Sequence, residues 1–324
     1  MKKLLGVLLI LALVTGAAFA GGQGEKSKAT KSGKKKDIYI AVISKGFQHE
    51  FWQAVKKGTE KAAKELGIRT TYEGPATEAM LDVQINMVEN AITTRCDGLL
   101  LAALDSEALV PYVEKAHKAG IVVATFDSGV KSDIPVSHIA TNNLKAGALA
   151  ADKLGEIVGG KGKVGVIVHD ATSQTGIERR DGFINEIKKK FPGITIVGPV
   201  YGEGDHRKSA NLIIDMIRSN PDLKGIFAAN EGSAVGAALA LKEMKRTDIK
   251  LVGFDSGAQQ IGFVKDGTEV GFISQDPFNI GYLGVKTLYK ALMGEKVPKV
   301  VDTGAKWVDK TNIDDPDIQK ILYH

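Results

Sequence analysis

Cysteine is almost missing from this chain: Cys96 is the only one in 324 residues. A lone thiol cannot close an intrachain disulfide. Its setting, TTRCDGLLLA, marks it as a small residue packed just ahead of an apolar strand. Beyond the N-terminus no apolar run reaches membrane-spanning length, which predicts an exported chain without a transmembrane segment. The six histidines (49, 117, 138, 169, 206 and 324) have no metal-ligand spacing, and residues 312–317 lack the glycine and terminal glutamate of a calcium loop. No metal site is expected. Residues 155–161 (GEIVGGK) imitate a phosphate-binding loop, but Gly162 stands where Ser or Thr is required and the segment precedes a strand. It reads as a turn. A G-x-S-x-G elbow is also missing, so no catalytic residue and no cofactor site can be named.

The first 36 residues are unlike the rest. Lys2 and Lys3, the apolar run 4–14 and the Ala18-Phe19-Ala20 step have the form of a secretory signal peptide cleaved after Ala20. No cysteine follows, so a lipid-anchored start is not supported. Residues 21–36, rich in Gly, Ser and Lys, read as a flexible linker. The whole chain carries +5; Lys2 and Lys3 supply two charges, and residues 21–36 supply six lysines against Glu25. The remainder is therefore about −2, and the basic character belongs to the leader and linker. That removes the basic folded surface that nucleic-acid binding requires.

From residue 37 onward, apolar runs alternate with helical stripes. Strands are expected at 38–44, 68–72, 98–104, 121–126 and 136–140, separated by helices at 50–66, 78–94 and 106–119, the last with Ser106 as N-cap. The alternation restarts with helices at 143–158, 174–190, 206–219 and 233–244 between strands 163–168, 194–200, 225–229 and 249–254. A short helix near 259–265, a strand at 270–274, a long helix at 277–293 and a strand near 297–302 follow. After that the chain reads as irregular. Strict alternation demands parallel sheets covered on both faces, and the length suffices for two such domains. No short-period repeat is present; the halves look like two copies of one architecture.

In open α/β folds ligands bind beyond the carboxyl ends of the strands. Polar residues gather there: Asp127 after TF, Asn230 after FAA, Asp255 after VGF and Gln275 after FIS, with Arg179 early in a helix. After the first strand the turn 45–49 leads into His49, Phe51 and Trp52. Each has a plain alternative. Asp and Asn before a helix are favoured caps, and both rings fit a helix core. Together, carboxylates, an arginine and amides beside aromatic rings suit a polyhydroxylated ligand. A sugar hydroxyl both donates and accepts, and rings cover its C–H face.

The segments SHIATNN (137–143), ERRDGF (178–183), FAANEGSAVGAA (227–238), VGFDS (252–256) and ISQDPFNIGYLGVKTL (273–288), in that order, resemble the periplasmic sugar-binding proteins of ABC transporters, of the ribose- and galactose-binding type. The resemblance covers roughly residues 37–302. It implies the type I periplasmic binding protein fold: two similar doubly wound parallel-sheet α/β domains joined by a three-crossing hinge near 141–142, 275–276 and after 302. One lobe would hold residues 37–141 plus 276–304, the other 142–275 plus 305–324. It implies ligand contacts from the turn before Phe51 and Trp52, and from Asp127, Arg179, Asn230, Asp255 and Gln275. His49 and Ser128 stand where ribose binders carry Asn and Arg, and the second domain's aromatic has only Tyr201 nearby. A larger sugar, a polyol or a related solute is therefore open. The implied protein is a periplasmic monomer that hands a sugar or polyol to an inner-membrane permease and presents its closed shape to a chemoreceptor. The alternatives are an exported sugar enzyme, for which no nucleophile speaks, and a ligand-sensing protein for signalling.

Overall fold

The computed structural model describes residues 37–323; the expected leader and linker lie outside them. In chain order the first elements are β1 (Tyr39–Ile43), α1 (Glu50–Leu66), β2 (Arg69–Glu73), α2 (Leu81–Thr93), β3 (Gly98–Leu101), α3 (Val110–Lys118), β4 (Val122–Phe126) and β5 (His138–Ala140). Then come α4 (Asn143–Ile157), β6 (Lys161–Val168), α5 (Gln174–Lys190), β7 (Gly193–Tyr201), α6 (His206–Ser219), β8 (Leu223–Ala228), α7 (Glu231–Glu243), β9 (Lys250–Phe254), α8 (Ala258–Asp266) and β10 (Gly271–Gln275). The last are α9 (Pro277–Leu292), β11 (Val300–Asp302), β12 (Ala305–Asp309) and α10 (Pro316–Gln319).

The strands form two six-stranded sheets, ordered β11-β5-β4-β3-β1-β2 and β12-β10-β9-β8-β6-β7. Each is the doubly wound order, reversing beside its first strand, so each has its crevice outside the carboxyl ends. β1 shows how the sequence sets the layers. Ile38, Ile40 and Val42 enter one core with Trp52 and Val55 of α1 and Ile280 of α9, while Tyr39, Ala41 and Ile43 enter another with Val88 of α2 and Val113 of α3. A strand buried on both faces needs no alternation, which is why the sequence shows a continuous apolar run. The second sheet is covered in the same way.

The chain passes between the sheets three times, at 141–142, at Asp276 and at 303–304. The first and third passages are tied together: Thr303 N donates to the Ala140 carbonyl (3.0 Å), and Thr141 Oγ1 donates to the Gly304 carbonyl (3.1 Å). α4 and α5 pack backbone to backbone. A Cβ on Gly147 would meet the Arg179 carbonyl at 2.4 Å, and one on Gly182 the Leu144 carbonyl at 2.3 Å. This close approach fixes the turn of α5 that carries Arg179.

Three expectations need correction. The stretch after residue 302 is not irregular: β12 pairs antiparallel with β10, and α10 follows. β12 puts only Val308 fully inside, so its own pattern is weak and its partner strand makes it. The strand expected from 297 starts at Val300. Ser106 caps nothing. Asp105 Oδ1 takes the amides of Glu107 and Ala108 (both 2.8 Å), and α3 starts only at Val110.

Within the first sheet, His138 lies against Thr125, its Nδ1 2.9 Å from Thr125 Oγ1. Burial pushes its pKa down to about 4, with the Thr125 backbone opposing. The unfolded chain thus binds a proton near pH 6.5 that the folded chain refuses until about 4. Stability from this site is present above 6.5 and is lost as pH falls toward 4. We expect His138→Gln to flatten the decline of the unfolding free energy from urea titrations across that window, by about 3 kcal/mol in total. Parallel profiles for the two proteins would contradict this.

Candidate functional site

The two sheets place an aspartate at the same point. Asp127 follows β4 and Asp255 follows β9, each the fourth strand of its sheet in chain order, and both open the sequence Asp-Ser-Gly. Both residues have left-handed backbone, φ 54° and 80°, a region where Asp is one of the few side chains at home. Their amides are held alike by the next strand, Asp127 N on the Ile139 carbonyl (2.9 Å) and Asp255 N on the Ile273 carbonyl (2.8 Å). The turn therefore aims both carboxylates out of their sheets into one cleft.

In that cleft Asp255 Oδ1 accepts from Gln275 Nε2 (2.7 Å), its Oδ2 accepts from the Glu231 amide (2.9 Å), and Arg179 Nη1 stands 3.9 Å away. Arg179 is itself fixed. Its Nε donates to Asn143 Oδ1 (2.8 Å), its Nη1 donates to the Ala229 carbonyl (2.8 Å), and its guanidinium lies 3.8 Å over the Phe254 ring. Asn230 does cap α7, its Oδ1 accepting from the Ser233 amide (2.9 Å), so here the plain reading and the site reading hold together. Asp127 Oδ2 has no hydrogen-bond partner and sees Lys45 Nζ at 4.0 Å. Burial pushes the Asp127 carboxyl up to about 6, against the pull of Lys45 and Arg179.

Lys45 reaches across the cleft and donates to Thr175 Oγ1 (3.0 Å). Trp52 Nε1 donates to Glu78 Oε1 (2.8 Å). Burial opposes ionisation of Glu78, but Lys45, His49, His169 and the Trp52 bond outweigh it and hold its carboxyl below the ordinary value. Burial lowers both His49 and His169, the latter to about 3. Neither nitrogen of His49 has a hydrogen-bond partner, nor do His169 Nδ1 and Gln275 Oε1. A buried polar atom left unpaired costs about 1–3 kcal/mol. The cleft is thus lined with groups waiting for hydroxyls.

The cleft is nearly filled by its own side chains, with a cavity volume of about 20 Å³. Its wall contains His49, Phe51, Trp52, Asp127, Arg179, Asn230, Asp255 and Gln275 of the residues anticipated from sequence. Ser128 does not reach it; it is buried behind the turn, its carbonyl accepting from Ala103 N (2.9 Å). Tyr201 is also outside the wall, accepting from Arg180 Nη1 (3.3 Å). Lys45, from the turn expected to contact ligand, is in the wall; Glu78 and His169 are there too and were not anticipated. His169 ends β6 as Asp127 ends β4, so its position carried a readable signal. Glu78 was expected to open the helix 78–94, but that helix starts at Leu81 and leaves Glu78 in the loop before it. Among the described residues no cluster of side chains could hold a metal ion, and no helix is long and apolar enough to cross a membrane.

Two equal α/β sheets facing one polar cleft define a class, and the comparisons agree: residues 40–296 match the periplasmic binding protein domain, and the chain belongs to that family. It is 28% identical over 306 residues to the ribose import binding protein of Bacillus subtilis, covering 94% of this chain and 98% of that one. The Escherichia coli ribose import binding protein is 30% identical over 275 residues, 84% and 90% of the two chains. Among solved structures, an ABC transporter solute-binding protein from Agrobacterium vitis with bound D-fucose superposes with a TM-score of 0.86 at 40% identity, covering 88% of this chain and all of that one. A carbohydrate transporter solute-binding protein from Agrobacterium radiobacter, in complex with D-arabinose, gives 0.86 at 33% identity, covering 89% and 99%.

The ion cluster predicts a coupling. Lys45→Met leaves Asp127 and Glu78 without their nearby cation, and we expect a loss of about 3 kcal/mol in unfolding free energy. Adding Asp127→Asn should recover part of it, with an interaction of roughly 1–3 kcal/mol in the double-mutant cycle. Additive losses in denaturant titrations would show that the two groups do not interact.

Proposed function

We propose that the protein captures a neutral monosaccharide or small polyol between its two sheets and delivers it to an ABC transporter permease in the inner membrane. The observation that carries this reading is the pairing of Asp127 and Asp255 from opposite sheets, with Arg179, Gln275 and His49 around one cleft. Acceptors and donors alternate there as hydroxyls require. Phe51 and Trp52 supply apolar ring surface for the C–H face. His49, Phe51, Trp52, Asp127, Arg179, Asn230, Asp255 and Gln275 are the proposed ligand contacts, joined by Lys45, Glu78 and His169. The sugars of its relatives, ribose and D-fucose among them, set the range of candidates for this chain.

In this reading the protein is an exported periplasmic monomer whose leader is removed after Ala20, with residues 21–36 as a linker. The lobes, 37–141 plus 276–304 and 142–275 plus 305–324, close about the three passages between the sheets. The permease reads the closed shape, and a chemoreceptor reads it in the same way. Sugar chemistry is not the role. His169, Ser173 and Asp170 are the residue types of a hydrolytic triad, but the Ser173 hydroxyl donates to Asp170 Oδ2 (2.8 Å) and accepts from Gly176 N (3.2 Å). An imidazole held near 3 is also too weak a base to activate it.

Isothermal titration calorimetry with D-ribose, D-arabinose, D-fucose, D-allose and their uncharged polyols tests the reading. We expect one-to-one binding of at least one sugar, recovered unaltered. Asp255→Ala and Arg179→Ala should each weaken it by about 1.5–3 kcal/mol, roughly ten- to hundredfold. Binding by none of these solutes, or wild-type affinity in both variants, would overturn the assignment.

A further inference from the structure

Two helices facing the cleft lack a cap of their own. α1 starts after His49 and α8 starts after Gly257, and neither residue's side chain bonds a first-turn amide. The orphan amides of a helix start take acceptors from caps, water or a neighbouring element, and here only the Phe51 amide is buried. The acceptors come from the opposite half of the molecule. Glu231, in the first turn of α7 beside the second sheet, accepts the Glu50 amide at Oε1 and the Phe51 amide at Oε2, both at 3.2 Å. Glu50, in the first turn of α1 beside the first sheet, accepts the Ala258 amide of α8 at 2.7 Å. Gly257 makes room for both: a Cβ there would lie 3.2 Å from Glu231 Cδ and from Glu50 Oε2.

Neither carboxylate lines the cleft, yet both connect to groups that do. The Glu231 amide is held by Asp255 Oδ2, and the helix start that Glu231 caps carries His49, Phe51 and Trp52. Burial and then Asp255 push the Glu231 carboxyl up to about 8, against the pull of the Glu50 and Phe51 amides, so the cap rests on the geometry of these hydrogen bonds. We propose that Glu50 and Glu231 are reciprocal caps, formed only when the halves close, that set how long a captured ligand is retained without touching it. They are positioning residues: Glu231 joins the Asp255 wall of the cleft to the aromatic wall, and Glu50 returns the contact to α8. The proposal rests on the sugar-capture reading above.

A cap that forms after encounter slows release and leaves capture unchanged. Stopped-flow tryptophan fluorescence with the sugar identified by calorimetry separates the two rates. Glu231→Ala and Glu50→Ala should each raise the release rate about tenfold or more, with association within twofold of wild type. Glu231→Gln, which keeps one acceptor oxygen, should fall between. Unchanged release in Glu50→Ala and Glu231→Gln, or association slowed as much as release is hastened, would overturn the capping role while leaving sugar capture intact. Wild-type protein that binds none of the sugars would overturn the functional reading, and this inference with it.

Discussion

Charge buried between two sheets is the constraint on which the site depends. Asp127, Glu78 and Asp255 are carboxylates inside the protein, faced by Lys45 and Arg179. Removing such groups from water is expensive, and their mutual attraction offsets this only when geometry and hydrogen bonds are nearly complete. No one half of the molecule completes them. Lys45 needs Thr175 from the other side of the cleft, and Asp127 gains from Arg179 there. Asp127 Oδ2 and His49 are left with unpaired atoms even so. The site is stable only as a junction, and a ligand with several hydroxyls is the natural third member of it.

The junction follows from using one architecture twice. Both sheets have the doubly wound order, so both have their crevice at the carboxyl ends, and three short passages turn those ends toward each other. The Asp-Ser-Gly turn recurs at the same strand of each sheet, with the same left-handed aspartate and the same amide bond to the next strand. Backbone strain of this kind persists only where surroundings over-determine it, and it marks functional turns. The cleft thus has one aspartate from each half, with Phe51 and Trp52 in its wall.

The sequence already carries much of this, for a physical reason. Strands buried on both faces are continuous apolar runs, so their ends can be read, and topology then gathers those ends at one place. That is why Asp127, Asn230, Asp255 and Gln275 could be named together from residues far apart in the chain. Ser128 shows the limit: one residue past Asp127, the left-handed turn sends it behind the sheet instead of into the cleft. Lys45 and Glu78 show another. Lys45 belongs to the turn expected at the site and Glu78 to an expected helix start, but only Thr175 from the other half and Trp52 show what each is bonded to. β12 was hidden because its pairing with β10 supplies what its own five residues do not.

The central claim is that ligand binding and closure are one event, since a ligand held by both halves favours the closed state over the open one. Small-angle X-ray scattering of the processed protein, with and without a saturating sugar identified by calorimetry, tests it directly. The account predicts a smaller radius of gyration with sugar, and a closed profile matching the arrangement of residues 37–323 described above. A saturating, tightly held sugar that leaves the scattering curve unchanged would contradict it.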